Sequence, residues 1–179
     1  VYEGGVREPM IVRWPGVTAP GSETDAYVMI EDFFPTILEM AGCADAQASV
    51  VQTVDGVSFM PLLTGRGENP AHGRSIYWHT PNSWIAGDYR DQGIGATSAV
   101  RRGDYKLVYW WIDGRKELYD LRADIGEGND IAATNPRLVA ELSADLGRYL
   151  RSVDAQRPKL AATGEYCQWP DGDDCAACQ

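Results

Sequence analysis

The chain has 179 residues, of which 44% are hydrophobic and 23% charged, a mixture typical of a globular protein with a sizeable core. Its formal net charge of −10 argues against nucleic acid or an acidic membrane surface as a partner. No apolar run approaches the ~20 residues of a bilayer span, so the sequence predicts no transmembrane helix.

The first part of the chain reads as a strand, a loop and a short helix. The apolar run at residues 10–14 predicts the strand. Asp32 is a candidate N-cap for a helix over residues 33–41, in which Pro35 fits the first turn. Residues 55–65 predict one further helical turn. The apolar residues of the first helix share one face at helical spacing: Phe34, Ile37, Leu38 and Ala41.

From residue 74 onward the hydrophobic period changes to two, which predicts strands. Asp113-Gly114 is the strongest hairpin signal of the chain. Because successive side chains of a strand alternate, we expect one of Trp110 and Trp111 in the core and its neighbour exposed or at an interface. Four antiparallel strands joined mostly by hairpins are expected at residues 75–79, 96–101, 105–111 and 116–120.

A last helix is predicted from Asn135, as its cap, and Pro136, at its first position. The predicted fold class is therefore α+β: a four-stranded antiparallel sheet packed on a C-terminal helix, preceded by a strand–helix edge piece of an α/β domain. The apolar stripe of the helix needs a partner, for which the sheet is available: Leu138, Val139, Leu142, Leu146, Tyr149, Leu150 and Val153.

The four cysteines point to structure more than to metal binding. Cys43 follows the first helix and is expected to be a small buried residue. A Cys-x2-Cys pair can place two thiolates on one zinc, but no matching pair accompanies it, and His72 and His79 are remote in sequence. A local disulfide or a free irregular tail is favoured. The other three cysteines cluster near the end, as Cys167, Cys175 and Cys178.

Several short motifs occur along the chain in a fixed order. They resemble the C-terminal part of type I sulfatases, which depend on formylglycine and hydrolyse sulfate esters. In that family the first motif falls well past the middle of the chain, so a fragment without its N-terminal catalytic part is expected. The motifs are Tyr2-Glu3-Gly4-Gly5-Val6-Arg7-Glu8-Pro9, Arg13-Trp14-Pro15-Gly16, Asp32 with Pro35-Thr36-Ile37-Leu38, Asp55-Gly56 with Pro61-Leu62-Leu63, Ala99-Val100-Arg101 with Tyr105-Lys106-Leu107, and Glu117-Leu118-Tyr119-Asp120-Leu121.

The resemblance implies a domain organisation and a chemistry. Residues 1–66 would be the C-terminal edge of an alkaline-phosphatase-like α/β domain, residues 74–155 a small C-terminal subdomain, and residues 156–179 an irregular Cys-containing tail. The full-length enzyme would bind a divalent cation, usually Ca²⁺, through Asp and Asn side chains. Its nucleophile would be a formylglycine made from Cys or Ser in a Cys/Ser-x-Pro-x-Arg motif.

This sequence lacks those catalytic parts. No Cys or Ser is followed by x-Pro-x-Arg, Asp173-Asp174 lies in the irregular tail, and the family's last catalytic Lys precedes the first motif. We therefore assign no catalytic residue, no metal ligand and no cofactor to the chain, which is predicted to be inactive alone.

His79 is the one candidate for substrate binding. At a strand end, it could contact a sugar or aryl leaving group, whereas the commoner alternative is a packed or surface histidine. Arg101 could reach an anion, although a structural ion pair is the more frequent role. Arg7 with Glu3 is expected to tie the opening loop to the core. Three aromatic residues are near His79 in sequence: Trp78, Trp84 and Tyr89.

The expected partners are a sulfated small molecule or glycan and the missing N-terminal domain, with no nucleic acid and no membrane. A strand without its neighbours exposes backbone groups, so a homodimer or local disorder is expected for residues 1–65. The family suggests a periplasmic or secreted location. Two alternatives stay open: a related phosphodiesterase or phosphonate-ester hydrolase, and a non-catalytic glycan-binding module.

Overall fold

A computed structural model describes the chain at residues 1–43, 45–68, 73–82 and 93–172. By their contacts the residues form two compact units. The helical unit is Pro9–Arg74, and the sheet unit combines Val1–Glu8, here called the opening segment, with Ser75–Gln179. The opening segment contains one short helix, Glu3–Val6 (α1). The opening segment therefore belongs with a sheet that follows only after the whole helical unit. The domain boundaries expected from the family refer to a longer protein and stay predictions.

The sheet unit is built on four antiparallel strands, which are neighbours in chain order: Ser75–Thr80 (β1), Thr97–Arg102 (β2), Tyr105–Trp110 (β3) and Lys116–Asp120 (β4). Val100 lies opposite Leu107, which in turn lies opposite Leu118. Consecutive strands are thus neighbours, as the hairpin signals of the sequence require. The predicted sheet is confirmed, with ends that differ by one residue at some strands.

One face of the sheet packs on the last helix, which spans Pro136–Ser152 and is called α4. Burying a leucine side chain contributes about 1.5–3 kcal/mol, so this layer is the main apolar core of the unit. Asn135 is the N-cap residue of α4, as predicted, but its side chain makes no capping hydrogen bond. Its Nδ2 donates instead to the carbonyl of Ile131 at 2.9 Å. Six fully buried side chains meet between sheet and helix: Val100, Leu107, Leu118, Leu142, Leu146 and Leu150.

The opposite face of the sheet is also covered. Here Val1 and Tyr2 of the opening segment pack against a second apolar cluster. Trp110 belongs to this face and Trp111 to the helix face, and both are buried. Of the two alternatives expected for the second tryptophan, exposure is wrong, because Trp110 lies in the layer between the sheet and the opening segment. The second cluster contains Ala99, Val108, Trp110, Tyr119 and Leu121.

The residues after α4 fold back onto the helix face of the sheet. Tyr109 donates its hydroxyl to the carbonyl of Gln168 at 2.8 Å, and the ring of Trp169 meets that of Trp111 edge-on. Cys167 is a free and buried thiol, and its burial raises its pKa. Cys43, by contrast, is free and exposed, so the expectation that it is buried is wrong.

The helical unit consists mostly of loops and contains two short α-helices, Phe33–Met40 (α2) and Met60–Thr64 (α3), as predicted. Residues 10–14 do not form the predicted strand, since the described part of this unit holds no strand with which they could pair. The apolar face predicted for α2 is largely exposed. Ile37 is 58% exposed, whereas Pro35 and Thr36 are buried. Among the described residues, no helix has the length and apolar character that a bilayer span requires.

Candidate functional site

A buried carboxylate on β4, that of Glu117, holds Tyr2 of the opening segment. Four donors surround it and replace the water that burial removes. Burial, with the Glu117 charge nearby, raises the pKa of Tyr2 and of Tyr119, so both phenols stay protonated as donors. The donors are the hydroxyl of Tyr2, the hydroxyl of Tyr119 at 3.0 Å, Nε1 of Trp110 at 3.1 Å and Nη1 of Arg115 at 2.7 Å.

A second buried cluster holds the next residue, Glu3. Lys106 of β3 is fully buried, and its Nζ lies 3.0 Å from Glu3 Oε1 and 3.0 Å from Glu127 Oε1. Glu127 Oε2 accepts a hydrogen bond from the backbone N–H of Glu3 at 2.5 Å. Arg101 and Arg7 lie 3.6 Å and 3.7 Å from Glu3 Oε2, which confirms the expected pairing of Arg7 with Glu3.

These two clusters fix the position of the opening segment rather than offer a reactive group. Burying a charge costs several kcal/mol unless it is paired, and here Lys106 faces two carboxylates. Glu127 Oε1 accepts no aligned hydrogen bond, so Lys106 stabilises it by charge alone. Adjacent side chains of the first motif, Tyr2 and Glu3, thus have separate binding sites on one sheet face.

The motif residue Asp32 has a structural role in the helical unit. Its carboxylate is buried and forms a two-pronged ion pair with Arg74, with N–O distances of 2.9 and 2.6 Å. It also accepts hydrogen bonds from the backbone N–H groups of Met29 at 2.7 Å and Val57 at 2.8 Å. Asp32 is the N-cap residue of α2, as predicted, but its side chain ties three chain segments together and makes no capping hydrogen bond.

Two further motif residues, Thr36 and Gly56, lie beside Asp32 and its neighbours. Thr36 donates its hydroxyl to the carbonyl of Asp32 at 2.6 Å and accepts the backbone N–H of Phe59 at 3.0 Å. At Gly56, an added Cβ would lie 2.0 Å from the backbone oxygen of Glu31, so no larger residue fits without moving the backbone. These positions are explained by packing within the helical unit.

His79, the predicted substrate-binding residue, has both ring nitrogens engaged. Trp111 Nε1 donates to Ser98 Oγ at 2.9 Å, so the Ser98 hydroxyl hydrogen can be donated to His79 Nδ1 at 2.7 Å. Nε2 then carries the ring hydrogen and donates it to the carbonyl of Gln156 at 3.0 Å. Burial lowers the pKa of His79, which agrees with this neutral form. A substrate contact would have to use a carbon edge of the ring, and it stays a prediction.

We expect the lowered pKa of His79 to make stability depend on pH. The unfolded state binds the proton of His79 more tightly than the folded state does. The free energy of unfolding is therefore unaffected by this group above about pH 6.5 and decreases as pH falls below that value. A His79→Gln variant should flatten the loss between about pH 6.5 and 5.5 in urea melts. The matched control is Gln156→Ala, which keeps the imidazole and the backbone carbonyl that it contacts and should keep the wild-type slope. Equal slopes in the two variants would contradict this.

The structure separates His79 from the tryptophan next to it. Trp78 points to the face of the opening segment, where Lys106 Nζ lies 5.2 Å from its ring centroid. His79 lies on the helix face, edge-on to Trp111. Alternation along β1 therefore prevents a joint site. Other residues singled out in the sequence lie outside the described residues: His72, Trp84, Tyr89, Asp173, Asp174, Cys175 and Cys178.

The sequence analysis did not predict that Lys106, Glu117 and Glu127 bind the opening segment. A signal existed for the first, because Lys106 shares a strand face with Val108 and Trp110, and a charge on an apolar face needs a partner. The described residues contain no group of three or more His, Cys, Asp or Glu side chains that could hold a metal ion.

Comparison with known proteins identifies the family of the chain. A model of the family described as "N-sulphoglucosamine sulphohydrolase, C-terminal" matches residues 1–156. The chain belongs to this family. A sulfatase of Formosa agariphila is 35% identical over 158 residues, which are 84% of this chain and 27% of that protein. Arylsulfatase A of Bos taurus is 35% identical over 163 residues, or 88% and 29%. The chain thus spans less than a third of these relatives.

Solved structures agree with this family assignment. The structure of BT4656 in complex with its substrate D-glucosamine-2-N,6-O-disulfate matches with a TM-score of 0.60 at 29% identity. The match covers 80% of this sulfatase-family chain and 28% of BT4656. The structure of BT1596, a 2-O GAG sulfatase, matches with a TM-score of 0.50 at 25% identity, over 69% of this chain and 24% of that one.

Proposed function

We propose that this chain works as the C-terminal part of a longer sulfatase, which hydrolyses sulfate esters of aryl or carbohydrate compounds. The observation that carries the proposal is the match of residues 1–156 to a sulphohydrolase C-terminal family. Within the longer protein, the chain would form part of the wall of the substrate pocket and stabilise the enzyme. The chain alone is proposed to be inactive, because none of its Cys or Ser residues precedes x-Pro-x-Arg.

The metal and the nucleophile are assigned to the rest of that longer protein. A Ca²⁺ site needs several oxygen ligands, and the described residues do not fit one, since their buried carboxylates are already paired with Lys106, Arg74 or Arg115. We therefore derive no catalytic step from this chain. Exposed apolar side chains of the helical unit support a covering by further residues: Ile11, Ile30, Phe34 and Ile37.

The proposal is tested by assaying 4-nitrophenyl sulfate with Ca²⁺. We expect no turnover by the purified chain and Ca²⁺-dependent sulfate release by the longer protein. Turnover by the chain alone would place the nucleophile within it and overturn its proposed inactivity. Hydrolysis of bis(4-nitrophenyl) phosphate but not of the sulfate, by the longer protein, would favour the phosphodiesterase alternative instead.

A further inference from the structure

Asp-Gly pairs are positions at which an aspartate can rearrange without any reagent other than water. The backbone nitrogen of the glycine attacks Cγ of the aspartate, a C–N bond forms, and the carboxyl hydroxyl leaves as water with the amide hydrogen. Water then reopens the five-membered succinimide at either carbonyl, which gives aspartate or isoaspartate without a net change in mass. Glycine favours the attack because it has no Cβ to hinder its nitrogen. The chain has three such pairs: Asp55-Gly56, Asp113-Gly114 and Asp171-Gly172.

The pair in the hairpin turn between β3 and β4 is held at both reacting groups. Gly114 N–H donates to the carbonyl of Trp110 at 2.9 Å. Asp113 Oδ1 accepts the backbone N–H of Arg115 at 3.1 Å. An amide hydrogen that is bonded to a carbonyl is removed only when the structure opens locally, so the attack by this glycine nitrogen is slowed.

The pair that follows α4 is held in the same way. Gly172 N–H donates to the carbonyl of Trp169 at 3.0 Å. The carboxylate of Asp171 forms an ion pair with Arg151, whose Nη1 lies 3.1 Å from Oδ1. Both contacts must break before Cγ of Asp171 can meet the glycine nitrogen, so this pair is also protected.

The pair in the helical unit, Asp55-Gly56, differs at both groups. Asp55 is exposed, and its carboxylate makes no hydrogen bond or ion pair with any described residue. The N–H group of Gly56 likewise donates to no acceptor in the part of the chain that the structure describes. The side chain of Asp55 can therefore turn toward the glycine nitrogen without first losing a contact.

Packing also requires the glycine of this pair. An added Cβ at Gly56 would lie 2.0 Å from the backbone oxygen of Glu31, so a larger residue at this position would displace the backbone. The residue that makes Asp55 reactive is thus the one that the helical unit needs for its packing. Neither reacting group is protected, and the sequence cannot change at Gly56 without a cost in packing.

We propose that Asp55 is the modification site at which the folded chain forms a succinimide and isomerises to isoaspartate. The isomerised backbone runs through Cβ and Cγ of residue 55 and is longer by one methylene. Val57 N–H, two residues further on, donates to the buried carboxylate of Asp32 at 2.8 Å, so the longer backbone displaces one of the donors to that carboxylate. This inference goes beyond the proposed function, because it involves no sulfate ester and concerns how long the helical unit stays intact.

The test measures isoaspartate in the chain during incubation at neutral pH, once folded in buffer and once unfolded in guanidinium chloride. Trypsin places the three pairs in separate peptides, at residues 14–66, 107–115 and 160–179, and fragmentation in a mass spectrometer distinguishes the two backbones. In the unfolded chain the three aspartates should isomerise at similar rates. In the folded chain Asp55 should keep nearly that rate, whereas Asp113 and Asp171 should slow about tenfold or more, because each must first lose hydrogen bonds.

Two variants assign the product to one residue. Asp55→Glu keeps the charge but would have to close a six-membered ring, which forms far more slowly, so isoaspartate should disappear from the peptide 14–66. The matched control, Asp25→Glu, alters another exposed aspartate of the same peptide and should leave the product unchanged. Folding that slows Asp55 as much as Asp113 and Asp171, or a product in this peptide that persists in Asp55→Glu, would overturn the proposal.

Discussion

Replacing Lys106 by methionine is expected to lower the free energy of unfolding of the sheet unit by about 3–5 kcal/mol. The reason is that Glu3 and Glu127 would then be buried with their shared cation removed, and an unpaired buried charge is far more costly than the pair is beneficial. The lost volume is small, because methionine fills most of the space of the lysine stem. Urea melts followed by tryptophan fluorescence would measure this change, and the dependence of the unfolding free energy on urea concentration should stay constant.

The control for this variant is Lys159→Met. Lys159 is exposed and its Nζ lies 4.5 Å from the ring centroid of Tyr166, an interaction of about 0.5–1 kcal/mol at such a site. We expect the control to lose no more than that. Similar losses in both variants would mean that Lys106 contributes as an ordinary surface charge, and this would refute its role in the buried cluster.

Deleting the opening segment is expected to have a still larger effect. The deletion removes Tyr2 and Glu3, so Glu117 loses a donor, Lys106 loses a carboxylate, and Trp110 loses its covering layer. Domains are stable by only about 5–15 kcal/mol, and these combined losses approach that margin. We expect the near-ultraviolet circular dichroism of the sheet unit to be lost, while residues 75–179 retain some secondary structure.

Substitutions within the segment separate this effect from the shortening of the chain. Tyr2→Ala combined with Glu3→Ala should reproduce most of the loss, because these two side chains make the buried contacts. Glu8→Ala, in the same segment but exposed, should melt like wild type. A deletion variant that keeps native near-ultraviolet dichroism would show that the opening segment only rests on the sheet.

The sheet and α4 could be predicted from the sequence because their signals are local. Asp113-Gly114 joins strands that are neighbours in sequence, and the stripe of Leu142, Leu146 and Leu150 has its partner in the same unit. Each of these elements therefore pairs or packs with another element of the described residues, as its apolar pattern predicts.

The predictions failed where the residues that would cover a side chain lie far away in sequence or outside the described residues. The strand predicted at residues 10–14 does not form, and nothing described in the helical unit covers Ile11 or Ile37. Lys106 and Trp110 are buried by residues more than 100 positions away, as the separation of 103 between Glu3 and Lys106 shows. No short-range periodicity carries that information.

The candidate site shows the same limit. The sequence pointed to His79 beside Trp78, whereas strand alternation sends the two to opposite faces. The residues Tyr2 and Glu3 stood in a motif that could be recognised, but the side chains that receive them, Glu117 and Lys106, are visible only once the sheet is folded.

The most direct test of this account is a double-mutant cycle between Glu3→Gln and Lys106→Met. If Lys106 holds Glu3 within the sheet unit, the two changes are coupled, and their combined loss of unfolding free energy should be smaller than the sum by about 0.5–3 kcal/mol. Losses that add within about 0.3 kcal/mol would mean that the pair does not interact in solution and would contradict the account.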